Sequence, residues 1–219
     1  FLHHDLDYID VILVSHSHQD HVGGIDELRA INSAMSNHDS SQPYPPLPLY
    51  GSGPDLQEIK NKFGYIWDST TQAGGGKPAV ELREVREFTE FCPARGVVVT
   101  PLPIMHGKMP IFGYHIRLAD GADWGLTYIT DSSLVSEETL EYVTKKQRTT
   151  TLVLNALREK MHPTHMTIQE AVGVCKKINA PKGAWLVHMS HDFTHQQLLN
   201  MLHDTPNIKP AYDNLELTL

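Results

Sequence analysis

Residues 11–29, VILVSHSHQDHVGGIDELR, place His16, His18 and His21 together with Asp20 inside six positions, directly after an apolar run. Imidazole nitrogens and a carboxylate are the donors that hold ions such as Zn²⁺. Residues 11–14 read as a short buried strand, apolar and mostly β-branched. If the backbone stays extended beyond it, His16 and His18 share a side, because strand side chains repeat every two residues. Gly23 and Gly24 allow a tight turn, and residues 25–32 predict a helix, so Asp20 and His21 fall where strand gives way to helix. Four donors converging at the carboxyl end of a strand predict a metal site, offered as two pairs and not as one closed tetrahedron. A polar surface loop is the plainer alternative, and the spacing argues against it.

Further donors stand at similar places. His106 follows the apolar segment GVVVTPLPI, Asp131 ends TYITD and His188 ends AWLVH. Each comes directly after a predicted strand, where a layered fold displays functional side chains. The elements around them alternate. Strands are predicted over LPLYG, 96–104, 111–118, 124–130, 150–157 and 184–189, and helices over about 55–63, 137–146, 168–179 and 195–203. Ser136 can cap the second of these helices, and Thr167 with Glu170 and Thr194 with Gln197 form capping boxes for the last two. Residues 33–48, rich in Ser and Pro, predict a surface insertion loop, and the Gly-rich stretch from 70 to 88 predicts a loop entering a hairpin. Alternating strands and helices indicate an α/β layered architecture, and residues 1–219 read as a single domain without internal repeats.

Composition narrows the possibilities. At 219 residues with 40% hydrophobic content, the chain suits one soluble domain with a sizeable core. No apolar run approaches the roughly 18 residues of a membrane span, and nothing at the start resembles a signal peptide. With 14 histidines and only two cysteines, Cys92 and Cys175, a metal site here is built from nitrogen and oxygen. So few cysteines do not form a disulfide framework, which favours a reducing, cytoplasmic setting. A net charge of −8 opposes a groove that tracks the backbone of long nucleic acid.

The run His16-Ser17-His18-Gln19-Asp20-His21 resembles the HxHxDH signature of the metallo-β-lactamase superfamily. Together with HGKMP, YITDSS, NALREKMHPTHMTIQEA and LVHMSHD, it makes the chain similar to the phosphodiesterases that hydrolyse phosphoribosyl cyclic phosphate, accessory enzymes of phosphonate breakdown. The likeness runs from Leu6 to the end, apart from the Ser/Pro segment. It implies the α/β, αβ/βα four-layer sandwich of that superfamily, here without the N-terminal strands that normally precede the motif. It also implies two divalent ions, Zn²⁺ or Mn²⁺. His16, His18 and His106 would hold one ion, Asp20, His21 and His188 the other, and Asp131 would bridge them. A bridge suits a carboxylate, whose two oxygens can serve two cations where an imidazole cannot.

The implied activity is hydrolysis of a small, cyclic phosphate ester by a metal-bridged hydroxide attacking phosphorus in line. His165 of HPTH matches the histidine associated with protonating the leaving oxygen, as an imidazole titrating near ~6.5 could do. His162 and His191 are rivals for that role, Asp20 is counted with the catalytic residues as well as the ligands, and Lys108 could meet substrate phosphate. The remaining histidines read as surface or structural residues. The implied partner is a small phosphate ester, with no membrane and with a homodimer as an open expectation. A tRNA 3′-end-processing endonuclease of the same superfamily is the nearest alternative, although no basic arm is present. A non-catalytic metal-binding module is the alternative from another class.

Overall fold

A three-stranded parallel sheet organises the first half of the chain. β1 (Ile12–Leu13) pairs with β2 (Leu47–Gly51), which pairs in turn with β3 (Val80–Glu84), all parallel. The computed structural model describes residues 9–37, 46–70, 76–121 and 123–217, and its contacts divide the chain into two compact units, Phe1–Arg86 and Glu87–Leu219. In the first unit β2 is central, with Leu47, Leu49 and Tyr50 buried, as expected of a strand flanked on both sides. The segment predicted to enter a hairpin therefore forms β3, whose partner is the distant β2. Val80 joins the buried core of this unit and Leu82 packs against it, and that burial decides the pairing.

The helix after the histidine motif starts earlier than its sequence suggests. α1 (Gln19–Val22) continues through a 3₁₀ turn (Gly23–Glu27) into α2 (Leu28–Asn37). Gly23 has φ −58° and makes no tight turn. Val22, Ile25 and Leu28 are all buried at intervals of three, so an apolar stripe carries the helical path through the glycines. The predicted insertion loop is also shorter than 33–48: α2 reaches Asn37 and β2 begins at Leu47, while residues 38–45 lie outside the described residues. α3 (Gly53–Lys62) opens two residues before its expected start. The Ser52 hydroxyl accepts the amide of Asp55, and Pro54 sits in the first turn, where its missing N–H costs nothing.

In the second unit the described residues form an eight-stranded sheet from β4 (Phe91–Ala94), β5 (Val97–His106), β6 (Met109–Leu118), β7 (Gly125–Ile129), β8 (Leu134–Val135), β9 (Thr151–Asn155), β10 (Ala184–Val187) and β11 (Ile208–Pro210). The order is β11-β10-β9-β7-β6-β5-β4, with β8 beside β5. β5–β6 and β6–β7 are antiparallel, and β7–β9 and β9–β10 are parallel. β5, β7, β9 and β10 consequently run the same way and end at one edge of the sheet. α4 (Glu137–Glu141) is capped by Ser136 and ends in a π-helical turn, Tyr142–Lys146. The capping boxes of α5 (Ile168–Ile178) and α6 (His195–Met201) form as their sequences predict. α5 buries Ile168, Ala171, Cys175 and Ile178 against a core that includes Leu102, Ile104, Ile129, Leu152, Leu154 and Leu186. Cys92 and Cys175 are free thiols. Among the described residues no helix is long and apolar enough to cross a membrane.

A polar chain crosses this unit. His115 on β6, 1% exposed, has Nδ1 2.9 Å from the Thr127 hydroxyl, which lies 2.6 Å from that of Thr149, which donates to the Val143 carbonyl. A carbonyl can only accept, so the sequence of donors is fixed from that end and His115 donates from Nδ1. Gly125 is required beside it, since a Cβ there would meet the His115 ring at 2.7 Å and the Arg148 carbonyl at 2.6 Å. Burial, aided by Arg117, lowers the His115 pKa from 6.5 to about 4. Between those values the unfolded chain binds the proton more readily than the folded one, so this contribution to stability is present above pH 6.5 and lost as pH falls toward 4. In denaturant titrations at pH 7, 6 and 5, His115→Gln should remove up to one proton's worth of that slope, about 1.4 kcal/mol per pH unit at most. An unchanged slope would assign the acid sensitivity to other groups.

Candidate functional site

In the first unit the donors lie where the chain leaves the sheet. The Val14 amide donates to the Tyr50 carbonyl at 2.8 Å, and beyond it the ladder ends. The backbone is then held by side chains. The Ser17 amide donates to Asp55 Oδ1 at 2.9 Å, and the Ser17 carbonyl accepts Lys62 Nζ at 2.5 Å. Asp55 is buried, and its second oxygen accepts the Ser52 hydroxyl. α3 thereby fixes both polar groups of the one residue that separates His16 from His18. Sequence reasoning passed over Asp55, although its place three residues after the Ser52 cap was a visible signal.

His16 is fully buried, and its ring centroid lies 4.5 Å from that of His18 and 4.2 Å from that of His21. Three imidazoles so close, with converging nitrogens, suit a cation. The Ser15 hydroxyl stands 3.1 Å from Nδ1 of His16 and 3.5 Å from Nδ1 of His21. A ring held at Nδ1 ligates through Nε2. The Asp20 carboxylate is 71% exposed, 3.6 Å from His21 Nε2.

The second unit gathers its donors at the shared edge where β5, β7 and β10 end. His106 closes β5, with Nδ1 2.9 Å from the Thr164 carbonyl. That oxygen can only accept, so Nδ1 carries the hydrogen and Nε2 is left as the ligating nitrogen. Gly107 follows with φ 62°, and a Cβ there would stand 2.9 Å from Thr164 Cγ2, so only glycine lets Thr164 approach. Asp131, 3% exposed, lies two residues past β7 with φ 56°, and His188 lies one residue past β10 with φ 61°. Asp and His tolerate the left-handed region better than most residues. Even so, such conformations cost on the order of 1–3 kcal/mol and persist where surroundings impose them.

Asp131 Oδ1 is 3.7 Å from His165 Nδ1, and Oδ2 is 3.4 Å from His188 Nδ1. The His165 ring is central, with centroids 4.8 Å from His106, 5.0 Å from His162 and 5.2 Å from His188. One donor atom each from His106, Asp131 and His165 lies within 4.8 Å of the others. His165 Nδ1 is buried with no hydrogen-bond partner among the described residues, so it is open to a group that enters the cluster. The donor sets of both units therefore fit divalent ions.

The other predicted residues fall differently. His162 is half-buried and accepts from the Thr164 backbone amide at 3.4 Å, so it helps shape the loop that orients His106. His191 is exposed in a turn closed by Ser190 and Asp192 and is not brought into the His106–Asp131–His165 cluster. Lys108 is exposed at the tip of the β5–β6 hairpin. His3, His4 and His38 lie outside the described residues. The expectation of an ordinary imidazole at His165 needs correction. Burial lowers its pKa to about 4 against the opposing pull of Asp131, so in the metal-free chain it is neutral at pH 7.

Residues 2–189 match the family model described as the beta-lactamase superfamily domain, and the chain belongs to that family. It has the metallo-β-lactamase fold and resembles the PhnP branch. A crystal structure described as a new diphosphatase from the PhnP family is 28% identical, with a TM-score of 0.79 over 100% of this chain and 74% of that one. The metallo-β-lactamase fold protein YhfI from Bacillus subtilis, at 18% identity, shares the fold with a TM-score of 0.67 over 94% of this chain and 77% of its own. A protein of Porphyromonas gingivalis named octanoyltransferase is 33% identical over 213 residues, 96% of this chain. The chain spans only 38% of that relative's length.

Two outcomes are expected. Elemental analysis should find divalent metal in the purified protein, with less in His16→Ala and in Asp131→Asn and an unchanged amount in His191→Ala. Loss in the last variant alone would refute the donor sets described. Asp55→Ala should lower stability by about 1–3 kcal/mol, read by denaturant titration, because it leaves the half-buried Ser17 amide and Ser52 hydroxyl without their buried acceptor.

Proposed function

We propose that the chain is a dinuclear metal-dependent phosphodiesterase that hydrolyses a small, cyclic phosphate ester. The observation that carries this reading is the cluster around Asp131, whose Oδ2 lies 3.4 Å from His188 Nδ1 and whose neighbours His106 and His165 bring a donor atom each within 4.8 Å, the first as a ligand and the second as the residue that faces substrate. It is supported by the HxHxDH motif and by the likeness to a PhnP-family diphosphatase at 28% identity. The seven ligands are those given by the resemblance: His16, His18, Asp20, His21, His106, Asp131 and His188. Zn²⁺ or Mn²⁺ in these places would supply Lewis-acid polarisation of the phosphoryl group and acidification of a water.

The chain's own residues do the remaining work. Asp131 presents two oxygens, one toward His165 and one toward His188. His106 is held in the tautomer that ligates through Nε2 by the Thr164 carbonyl. His165 handles the proton at the leaving oxygen, and as a neutral ring it does so by donating a hydrogen bond from its N–H, in the manner of electrophilic histidines with lowered pKa. The net charge of −8 and the lack of a basic arm favour a small substrate over tRNA. Two free thiols suit a reducing cytoplasm. Octanoyl transfer, the activity in the name of the Porphyromonas gingivalis relative, is not proposed, because the match covers 38% of that protein.

The test is turnover of a panel of cyclic phosphates and of bis(p-nitrophenyl) phosphate by metal-loaded protein. His165→Ala should keep its metal and lose roughly 10²–10⁴-fold in rate on substrates with a basic alkoxide leaving group, and much less on the nitrophenyl ester, whose leaving group needs no proton. Equal losses on both would refute the leaving-group role, and loss of metal would make His165 a ligand. In gel-shift titration at physiological salt, tRNA should bind weakly. A tight complex would replace this reading with the endonuclease.

A further inference from the structure

The buried amide of Asn155 stands out in a strand otherwise made of Thr, Leu and Val. It closes β9, is fully buried, and lies level with Val187 of β10, whose next residue is His188. On the other side, the ladder of β7 and β9 ends at Ile129 and Leu154, one step before Asn155. Among the described residues, the three hydrogen bonds of this side chain all go to Ser132, which follows Asp131. Oδ1 accepts the Ser132 amide at 2.8 Å and its hydroxyl at 2.6 Å, and Nδ2 donates to the Ser132 carbonyl at 3.0 Å. This orientation of the carboxamide is forced, since the flipped form would set N–H against NH₂ and oxygen against oxygen. The Ser132 carbonyl also accepts the Met166 amide at 2.8 Å, and the Ser133 amide donates to the Met105 carbonyl at 2.7 Å.

We propose that Asn155 is a positioning residue for Asp131: by gripping both backbone groups of Ser132 it holds the left-handed turn that aims the carboxylate between His165 and His188. A buried amide repays its desolvation when its oxygen and its nitrogen are both paired, as here. The backbone it grips has left the sheet, so no ladder bond does the same work. Asp131 at φ 56° has no intrinsic preference to stay there. The inference rests on Asp131 being a metal ligand, and the experiment separates the two claims.

Zn²⁺ affinity is measured by competition with a chromophoric chelator for the wild type, Asp131→Asn, Asn155→Ala, Asn155→Leu, Ser132→Ala and the double variant Asp131→Asn/Asn155→Ala, with circular dichroism to confirm the fold. Asn155→Ala should weaken binding at least tenfold, about 1.4 kcal/mol. Asn155→Leu, which keeps the volume and folds without a cavity, should do the same. Ser132→Ala removes only the hydroxyl bond and should stay within about threefold of wild type. The double variant should bind no more weakly than Asp131→Asn alone, because the clamp acts through that carboxylate. Additive losses, or wild-type affinity in folded Asn155→Leu, would overturn the positioning role. Wild-type affinity in Asp131→Asn would instead overturn the ligand assignment on which it rests.

Discussion

Two ligand-bearing turns of this protein, at His16–His18 and at Asp131, lie on backbone that has left the sheet, and side chains hold that backbone in place of ladder hydrogen bonds. In the first unit Asp55 and Lys62 take the amide and carbonyl of Ser17. In the second, Asn155 takes both polar groups of Ser132. A donor set needs its atoms fixed to within a fraction of an ångström, and a loop loses that precision unless its own polar groups are tied down. Asp55 and Asn155 are buried, so their hydrogen bonds compete little with water, while Lys62 reaches Ser17 from the surface.

The strands serve this arrangement by ending together. β5, β7, β9 and β10 run in one direction, so His106, Asp131, Asn155 and His188 all emerge at one edge. The left-handed conformations of Asp131 and His188 turn their side chains out of the ladder directions that a continuing strand would give. Between them the buried core of Leu and Ile side chains keeps the strand ends rigid. The strain at two residues is small beside the burial that opposes its relief.

The electrostatics follow from burial. Burial drives the pKa of His165 down to about 4 and so favours its neutral ring. Neutral nitrogen is the form that accepts a cation. His115 shows the same depression without any donor cluster, inside a hydrogen-bonded chain of threonines. A lowered histidine pKa thus marks burial in this fold, and only the convergence of several donors marks a metal position.

Much was written locally. The HxHxDH run after an apolar strand, the donors after three later strands, and the capping boxes at Thr167 and Thr194 all depend on neighbours within a few positions, and a linear pattern records such relations. The sequence alone thus determined the superfamily and its fold class, and it pointed to the candidate donors. Tertiary structure decided what depends on distant partners. β3 pairs with β2 and forms no hairpin because Val80 is buried in the core of its unit. The helical path runs through Gly23 and Gly24 because Val22, Ile25 and Leu28 share one buried face. Asp55 and Asn155 meet their targets 38 and 23 residues away. Neither the left-handed turn at Asp131 nor the depressed pKa of His165 leaves a periodic trace, because each is set by packing among segments that only the folded chain brings together.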